Sequence, residues 1–196
     1  MSQAMRVKVL ALALLLGSTA ACTAADQKPV PKAAVDSSLT SAKGEQTAVL
    51  AGGCFWGLQA VFQRVKGVVN VTSGYTGGSV PHPDYEQVST GDTGHAESVK
   101  ITYNPAQVTY GDLLRVYFSV ATDPTQLNRQ ESDEGTQYRS AIFFGNEEQK
   151  KIADAYIAQL TKEKVFPNKI VTQVVPLKEF YSAEGYHQNY YDLHPD

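Results

Sequence analysis

Between Thr47 and Gly67 the hydrophobic period of the chain changes, and that change confines the fold. Thr47-Ala48-Val49-Leu50-Ala51 is a short apolar run ended by Gly52-Gly53, the pattern of a buried strand. Leu58, Val61, Phe62 and Val65 then recur at i, i+3, i+4 and i+7. That spacing predicts an amphipathic helix over 54–66, with Gly67 as its C-terminal stop. Val68 to Tyr75 reads as strand again. Cys54 therefore stands where a strand turns into a helix, with glycines at 53 and 57 on either side.

The remainder alternates in the same way. A turn-rich stretch runs from Thr76 to Gly94, long enough to expect a functional loop. From His95 to Tyr103 the sequence alternates, placing His95, Glu97, Val99, Ile101 and Tyr103 on one face and Ala96, Ser98, Lys100 and Thr102 on the other. Thr109 with Asp112 makes a capping box before a helix carrying Leu113, Leu114, Tyr117 and Phe118. A second polar loop covers 123–137, and Tyr138–Phe144 reads as a strand. Asn146 with Gln149 opens a helix to about Lys164, Ile170–Pro176 reads as a last strand, and Glu179–Tyr191 is open between helix and turn. Strands interleaved with helices at hairpin-scale distances predict an α+β fold, helices packed on a mixed sheet, with the domain over 47–196.

The first residues read as an address. Arg6 and Lys8 precede an apolar run from Val9 to Leu16, followed by small residues up to Cys22, the layout of a secretory signal over 1–21. The run is too short for a bilayer-spanning helix, which needs roughly 20 residues. Ser18-Thr19-Ala20-Ala21-Cys22 is similar to a bacterial lipoprotein cleavage site, so Cys22 is the expected lipidation point and membrane tether. Ordinary cleavage after Ala24 or Ala25, which would discard Cys22, is the alternative. Residues 22–46 are polar, small and Pro-containing, and read as a flexible linker. The protein is expected to be exported, periplasmic or in the cell envelope, with a lipid anchor.

Charge and cysteine content narrow the function classes. A net charge of −3 offers no electrostatic footprint for nucleic acid. Two cysteines are too few for a disulfide scaffold or a Cys-rich zinc domain. At a helix N-terminus the free N–H groups and the dipole favour a thiolate, so Cys54 is expected to carry a lowered pKa and to act as a nucleophile. Phe55 and Trp56, beside the thiol, are candidates to wall an apolar pocket. Glu97 shares its strand face with Val99 and Ile101; burial there would raise its carboxyl pKa and suit it to general acid work. Tyr85 and Tyr138 could donate phenolic hydrogen bonds.

Rival constellations stay open at this level. Cys54 could pair with His95 or His187, as in a Cys–His thiol hydrolase or transferase. A metal could draw on His82, His95, His187, His194 and Glu97, but no H-E-x-x-H, Cys-x-x-Cys or EF-hand pattern is present, and no metal is expected. A tethered binding protein without catalysis is the non-enzymatic alternative.

Several separated motifs resemble one family. Gly53-Cys54-Phe55-Trp56-Gly57, Tyr85, Gly91-Asp92-Thr93-Gly94-His95-Ala96-Glu97, Asp123-Pro124-Thr125-Gln126, Gly135-Thr136-Gln137-Tyr138-Arg139-Ser140 and Ala183-Glu184-Gly185-Tyr186-His187-Gln188 stand in the order found in peptide methionine sulfoxide reductase A. The resemblance implies a ferredoxin-like split β-α-β core with long functional loops. It implies that Cys54 attacks methionine S-sulfoxide, free or in oxidised proteins and peptides, and becomes a sulfenic acid. It gives Glu97 the proton to the sulfoxide oxygen, Tyr85 and Tyr138 hydrogen bonds to that oxygen, Phe55 and Trp56 the substrate methyl group, and Asp133 the substrate backbone. His187 would line the same site. Two departures stand out: Glu131 occupies a position where the family usually has Gly, and residues 145–196 contain no cysteine. The second implies that an external thiol, a thioredoxin-like protein or a small molecule, regenerates Cys54 directly; no bound cofactor is expected.

Overall fold

A computed structural model describes residues 28–39 and 44–195. The leader over 1–21 and Cys22 lie outside the described residues. β1 (Gln46–Ala51) turns through Gly52-Gly53-Cys54 into α1 (Phe55–Gln63), which leads to β2 (Val68–Thr76) and later β3 (Ala96–Tyr103). β3 lies between β1 and β2 and is antiparallel to both, so β1 and β2 run parallel with a strand between them. This is the split β-α-β arrangement.

α3 (Tyr110–Val116) continues into a π turn at Tyr117–Ala121. β6 (Ala141–Phe144) adds antiparallel to β1, and α4 (Glu147–Lys162) leads to β7 (Gln173–Pro176), parallel to β6. β8 (Phe180–Ser182) closes the opposite edge beside β2, giving the order β7-β6-β1-β3-β2-β8. The fold is α+β with helices on a mixed sheet, as the alternation of periods predicted.

Both helix starts follow their sequence caps. Thr109 and Asp112 form the reciprocal box, and Asn146 accepts from the Gln149 N–H. The main core lies between α1, α3, α4 and one sheet face, with Leu50, Phe62, Ile101, Leu114, Tyr156 and Leu160 all buried. A smaller cluster of Val49, Ala51, Ala96, Ala141 and Phe143 fills the other face. The polar face expected of β3 is thus partly covered: Ala96 and Ser98 are buried, and Lys100 and Thr102 are half-buried.

Three local expectations change. The loop over 76–94 contains a short helix, α2 (Tyr85–Ser89), capped by a box of Asp84 and Gln87. Tyr138 ends a 3₁₀ turn (Thr136–Tyr138) and does not start a strand; the N–H groups of Tyr138 and Arg139 bond back to the Gly135 and Thr136 carbonyls, so β6 begins only at Ala141. The strand placed at 170–176 begins at Gln173 and is not the last, since β8 follows it. In the polar loop before the turn, β4 (Arg129–Gln130) and β5 (Asp133–Glu134) form a minimal hairpin.

The larger correction concerns the linker. Residues 28–39, read from composition as flexible, form a clasp along α3 and α4. Asp36 accepts from Thr109 Oγ1 at 2.5 Å and from the Gly111 N–H at 2.7 Å. Arg115 donates to the Val30 carbonyl, Tyr156 to the Pro31 carbonyl and Gln159 to the Lys32 carbonyl. A Cβ on Gly111 would stand 2.4 Å from the Asp36 carboxyl carbon, so the glycine leaves room for the clasp. Composition records low hydrophobicity; it does not record that the segment's backbone finds partners on two helices. Among the described residues no helix is long and apolar enough to cross a membrane.

Candidate active site

The turn that displays Cys54 depends on Gly53. Gly53 has φ +97°, and a Cβ there would stand 2.9 Å from Gln130, so a side chain would meet both backbone strain and a neighbour. Cys54 follows as the N-cap of α1, half-buried, with its thiol toward the amides of Trp56 and Gly57. A groove of about 570 Å³ opens beside it, with Leu58, Val61, Phe118, Gln130 and Asp133 among its lining.

The expected lowering of the thiol pKa does not occur. Burial and then the Glu97 charge push Cys54 up to about 11, outweighing the two helix amides that favour the thiolate. A helix N-terminus lowers a thiol pKa only where desolvation and a neighbouring carboxylate do not exceed it.

Glu97 sits where the alternation of β3 put it, on the core side, 3% exposed. Its Oε2 accepts the Phe55 N–H at 3.0 Å. Burial raises the carboxyl to about 7, against the lowering effect of that hydrogen bond. The β2–β3 register sets Tyr75 opposite Glu97 on one ladder rung.

Loops complete the constellation. Tyr85 opens α2, and its N–H donates to Glu184 Oε1 at 2.9 Å. Tyr138 ends the 3₁₀ turn; burial, then the charges of Glu97, Tyr85, Asp133 and Cys54, push its phenol up to about 12. Asp133 lines the groove from β5. Cys54, Tyr85, Glu97 and Asp133, drawn from four segments, are therefore all within electrostatic reach of Tyr138.

The aromatic wall has its own support. Phe55 is buried, with its ring centroid 5.7 Å from Tyr75 and 5.1 Å from His187. Trp56 stacks on Tyr190 at 3.6 Å and 3°, and its Nε1–H donates to His187 Nδ1 at 3.1 Å. His187 is buried and underlies the wall.

Among the described residues neither histidine is hydrogen-bonded to Cys54. His95 accepts the Gly78 N–H on Nδ1 and pairs with the Val80 carbonyl through Nε2, stitching the loop before β3. His187 Nδ1 is occupied by Trp56. His82 faces Tyr181, and His194 packs on Tyr190. Among the described residues no three His, Cys, Asp or Glu side chains gather as a metal site requires.

Three residues of the site escaped sequence reasoning. Gln130 packs against Gly53 and binds both the N–H and the carbonyl of Asp123, at 2.9 Å each, tying the groove's loop to the cysteine turn. Tyr190 supports Trp56, and Glu184 holds Tyr85. Glu184 stands within the Ala183–Gln188 motif; nothing in the local sequence marks the other two. Glu131, the departure noted above, has φ +51°, a conformation that glycine adopts without strain.

Residues 46–196 match the family model for peptide methionine sulfoxide reductase. The chain is 60% identical over 155 residues to peptide methionine sulfoxide reductase MsrA 2 of Mesorhizobium japonicum, covering 79% of this chain and 80% of that protein. It is 48% identical over 184 residues to the protein of the same name from Synechocystis, covering 94% and 86%. In three dimensions it is similar to methionine sulfoxide reductase A of Corynebacterium diphtheriae, with TM-score 0.69, 36% identity, and 86% and 83% of the two chains covered. Reduced Mxr1 of Saccharomyces cerevisiae gives TM-score 0.68 at 33% identity, covering 83% and 92%.

Proposed function

The chain belongs to the peptide methionine sulfoxide reductase A family, and we propose how its own residues divide the reaction. The enzyme reduces methionine S-sulfoxide, free or in proteins, to methionine. Cys54 is the nucleophile toward the sulfoxide sulfur and Glu97 the acid toward its oxygen. Tyr85 and Tyr138 donate hydrogen bonds to that oxygen, Phe55 and Trp56 enclose the methyl group, and Asp133 meets the substrate backbone. Oxygen leaves the substrate and resides on Cys54 as a sulfenic acid, so the substrate sulfur is reduced by two electrons and the cysteine sulfur oxidised by two.

The observation that carries this division is the buried Glu97 carboxyl bound to the Phe55 N–H at 3.0 Å, directly beside Cys54, with burial raising the carboxyl to about 7 and its charge raising the thiol. While Glu97 is ionised, its charge opposes formation of the thiolate. Once Glu97 carries a proton, it is competent as a donor and no longer repels the thiolate charge. One proton therefore readies both partners. Incubation with the separate S and R epimers of a methionine sulfoxide peptide and dithiothreitol tests the assignment. Loss of the S epimer alone, abolished in Cys54→Ser, is expected; equal loss of both epimers, or activity surviving in Cys54→Ser, refutes it.

Regeneration uses an external thiol, a thioredoxin-like protein or a small molecule. Two molecules of thiol return Cys54 to its reduced form, releasing water and a disulfide. Support comes from the cysteine count of two, with none over 145–196. Cys54 found as a sulfenic acid after one turnover without reductant is the expected result; an intramolecular disulfide would overturn it. Export and lipidation at Cys22 complete the proposal, supported by the basic, apolar and small-residue order of residues 1–22. Mass spectrometry of the membrane fraction tests it: a diacylglyceryl mass on Cys22 is expected, and an unmodified terminus at Ala25 or Asp26 sinks the anchor.

A further inference from the structure

Glu184 touches three parts of the site without belonging to its reacting groups. Its Oε1 accepts the Tyr85 N–H at 2.9 Å, and its Oε2 accepts the Tyr75 hydroxyl at 2.8 Å. The same Oε2 stands 4.0 Å from His187 Nε2. Glu184 also precedes the 3₁₀ turn (Gly185–His187), its carbonyl accepting the His187 N–H at 3.0 Å.

The tautomer of His187 follows from its partners. An indole N–H can only donate, so His187 Nδ1, facing Trp56, must accept and the neutral ring carries its proton on Nε2. That Nε2 is buried without a hydrogen-bond partner, and the nearby carboxylate is Glu184. The His187 ring centroid lies 4.5 Å from Tyr85 and 5.1 Å from Phe55. A chain of contacts thus runs from Trp56 through His187 and Glu184 to Tyr85.

We infer that Glu184 is a positioning residue that fixes Tyr85 through its backbone and holds His187 in the tautomer that receives Trp56. The inference rests on the substrate roles given above to Tyr85 and Trp56. Two effects are separable. Tyr85 acts on the sulfoxide oxygen, so loss of its support lowers kcat. Trp56 acts on the methyl group, so loss of the His187 tautomer raises KM.

Glu184→Gln separates them. The amide oxygen still accepts the Tyr85 N–H, but the amide nitrogen puts a donor in place of the oxygen that accepts the Tyr75 hydroxyl and removes the negative charge 4.0 Å from His187 Nε2. Without that charge the Nε2–H tautomer loses its electrostatic support, and the other tautomer sets two N–H groups against each other between His187 and Trp56. The expected result is kcat within about twofold of the parent and KM raised about tenfold, the effect of one polar contact. Trp56 is the single tryptophan of the chain, so its emission reports the displacement directly and without turnover. A shift of emission in Glu184→Gln is expected. Unchanged emission with unchanged KM overturns the inference, whether or not the reductase assignment holds.

Glu184→Ala with and without Tyr85→Phe tests the other arm. If Glu184 acts on kcat through Tyr85, the double variant loses no more kcat than Tyr85→Phe alone. Losses that multiply would place Glu184's effect elsewhere and overturn the Tyr85 arm. Should Glu184→Ala not fold, the same cycle with Glu184→Gln applies: its small kcat effect must vanish, not persist, in the Tyr85→Phe background.

Discussion

Glu97 Oε2 accepts the backbone N–H of Phe55, the residue directly after Cys54, at 3.0 Å. The carboxyl proposed as the acid is therefore tied to the first turn of α1, the helix that Cys54 caps. That hydrogen bond joins strand β3 to the start of helix α1, directly beside Cys54.

That bond and the burial of Glu97 set a pH dependence. With the carboxyl near 7, the protonated donor is depleted as pH rises through that value, and kcat should fall across neutral pH. The stability effect has a defined sign. The folded-state pKa is raised above the ordinary 4.5, so the native state binds more protons than the unfolded state between 4.5 and about 7. Glu97 therefore weakens the fold as pH rises through that window. Glu97→Gln should lose about a hundredfold or more in kcat yet melt higher than the parent at pH 8, with the difference vanishing near pH 4. Thermal melts at the two pH values check it; a lower melting temperature at pH 8 contradicts the reading.

The same carboxylate suppresses Cys54. Glu97 is the largest charge acting to raise the thiol, so its removal should increase the thiolate fraction. At pH 8, Glu97→Gln should react a few-fold faster with iodoacetamide than the parent while reducing sulfoxide far more slowly. A parallel fall of both rates would mean that the variant has lost the geometry of α1, not the charge.

Glu131 stands in a left-handed backbone conformation at φ +51°. Glycine there would remove the Cβ strain but add unfolded-state entropy, leaving a net gain of about 0.5–1 kcal/mol for Glu131→Gly. Urea unfolding followed by circular dichroism measures this, and a midpoint below that of the parent refutes it.

The clasp makes a distinct prediction. Asp36→Ala removes acceptors for Thr109 Oγ1 and the Gly111 N–H at the start of α3 and should destabilise the protein by about 1 kcal/mol. Limited proteolysis should cut within 28–39 sooner in the variant, with the remaining domain intact. Cleavage at the same rate in both proteins would show that the clasp is held by its other contacts.

What could be read from the residues was whatever periodicity and capping encode. The strand, glycine pair and helix around Cys54 were legible because hydrophobic spacing changes sharply there. The α3 and α4 starts followed from Thr109-x-x-Asp112 and Asn146-x-x-Gln149. The core side of β3, and with it the raised pKa of Glu97, followed from alternation. Elements that depend on a distant partner were not legible. β8 exists by pairing with β2, and the clasp by bonding to α3 and α4. The Asp84–Gln87 box did mark α2 locally, but the surrounding glycines and prolines obscured it. The sign of the thiol shift is not legible locally, because opposing influences arise at different levels of structure. The helix amides are visible in the local sequence, while the extent of burial and the approach of Glu97 arise only on folding.

The clasp also sets a length. A free stretch over 22–46 would let the catalytic unit wander up to about 80 Å from residue 22, at full extension. With Lys28 already donating to the Glu163 carbonyl beyond α4, only about six peptide steps separate Cys22 from the folded body, roughly 20 Å at most. Held by a lipid at Cys22, the enzyme would be a mounted tool, its α4 end toward the bilayer and its angle restricted. The oxidised methionines within range would then be chosen by the orientation of the mount as much as by the fit of the pocket.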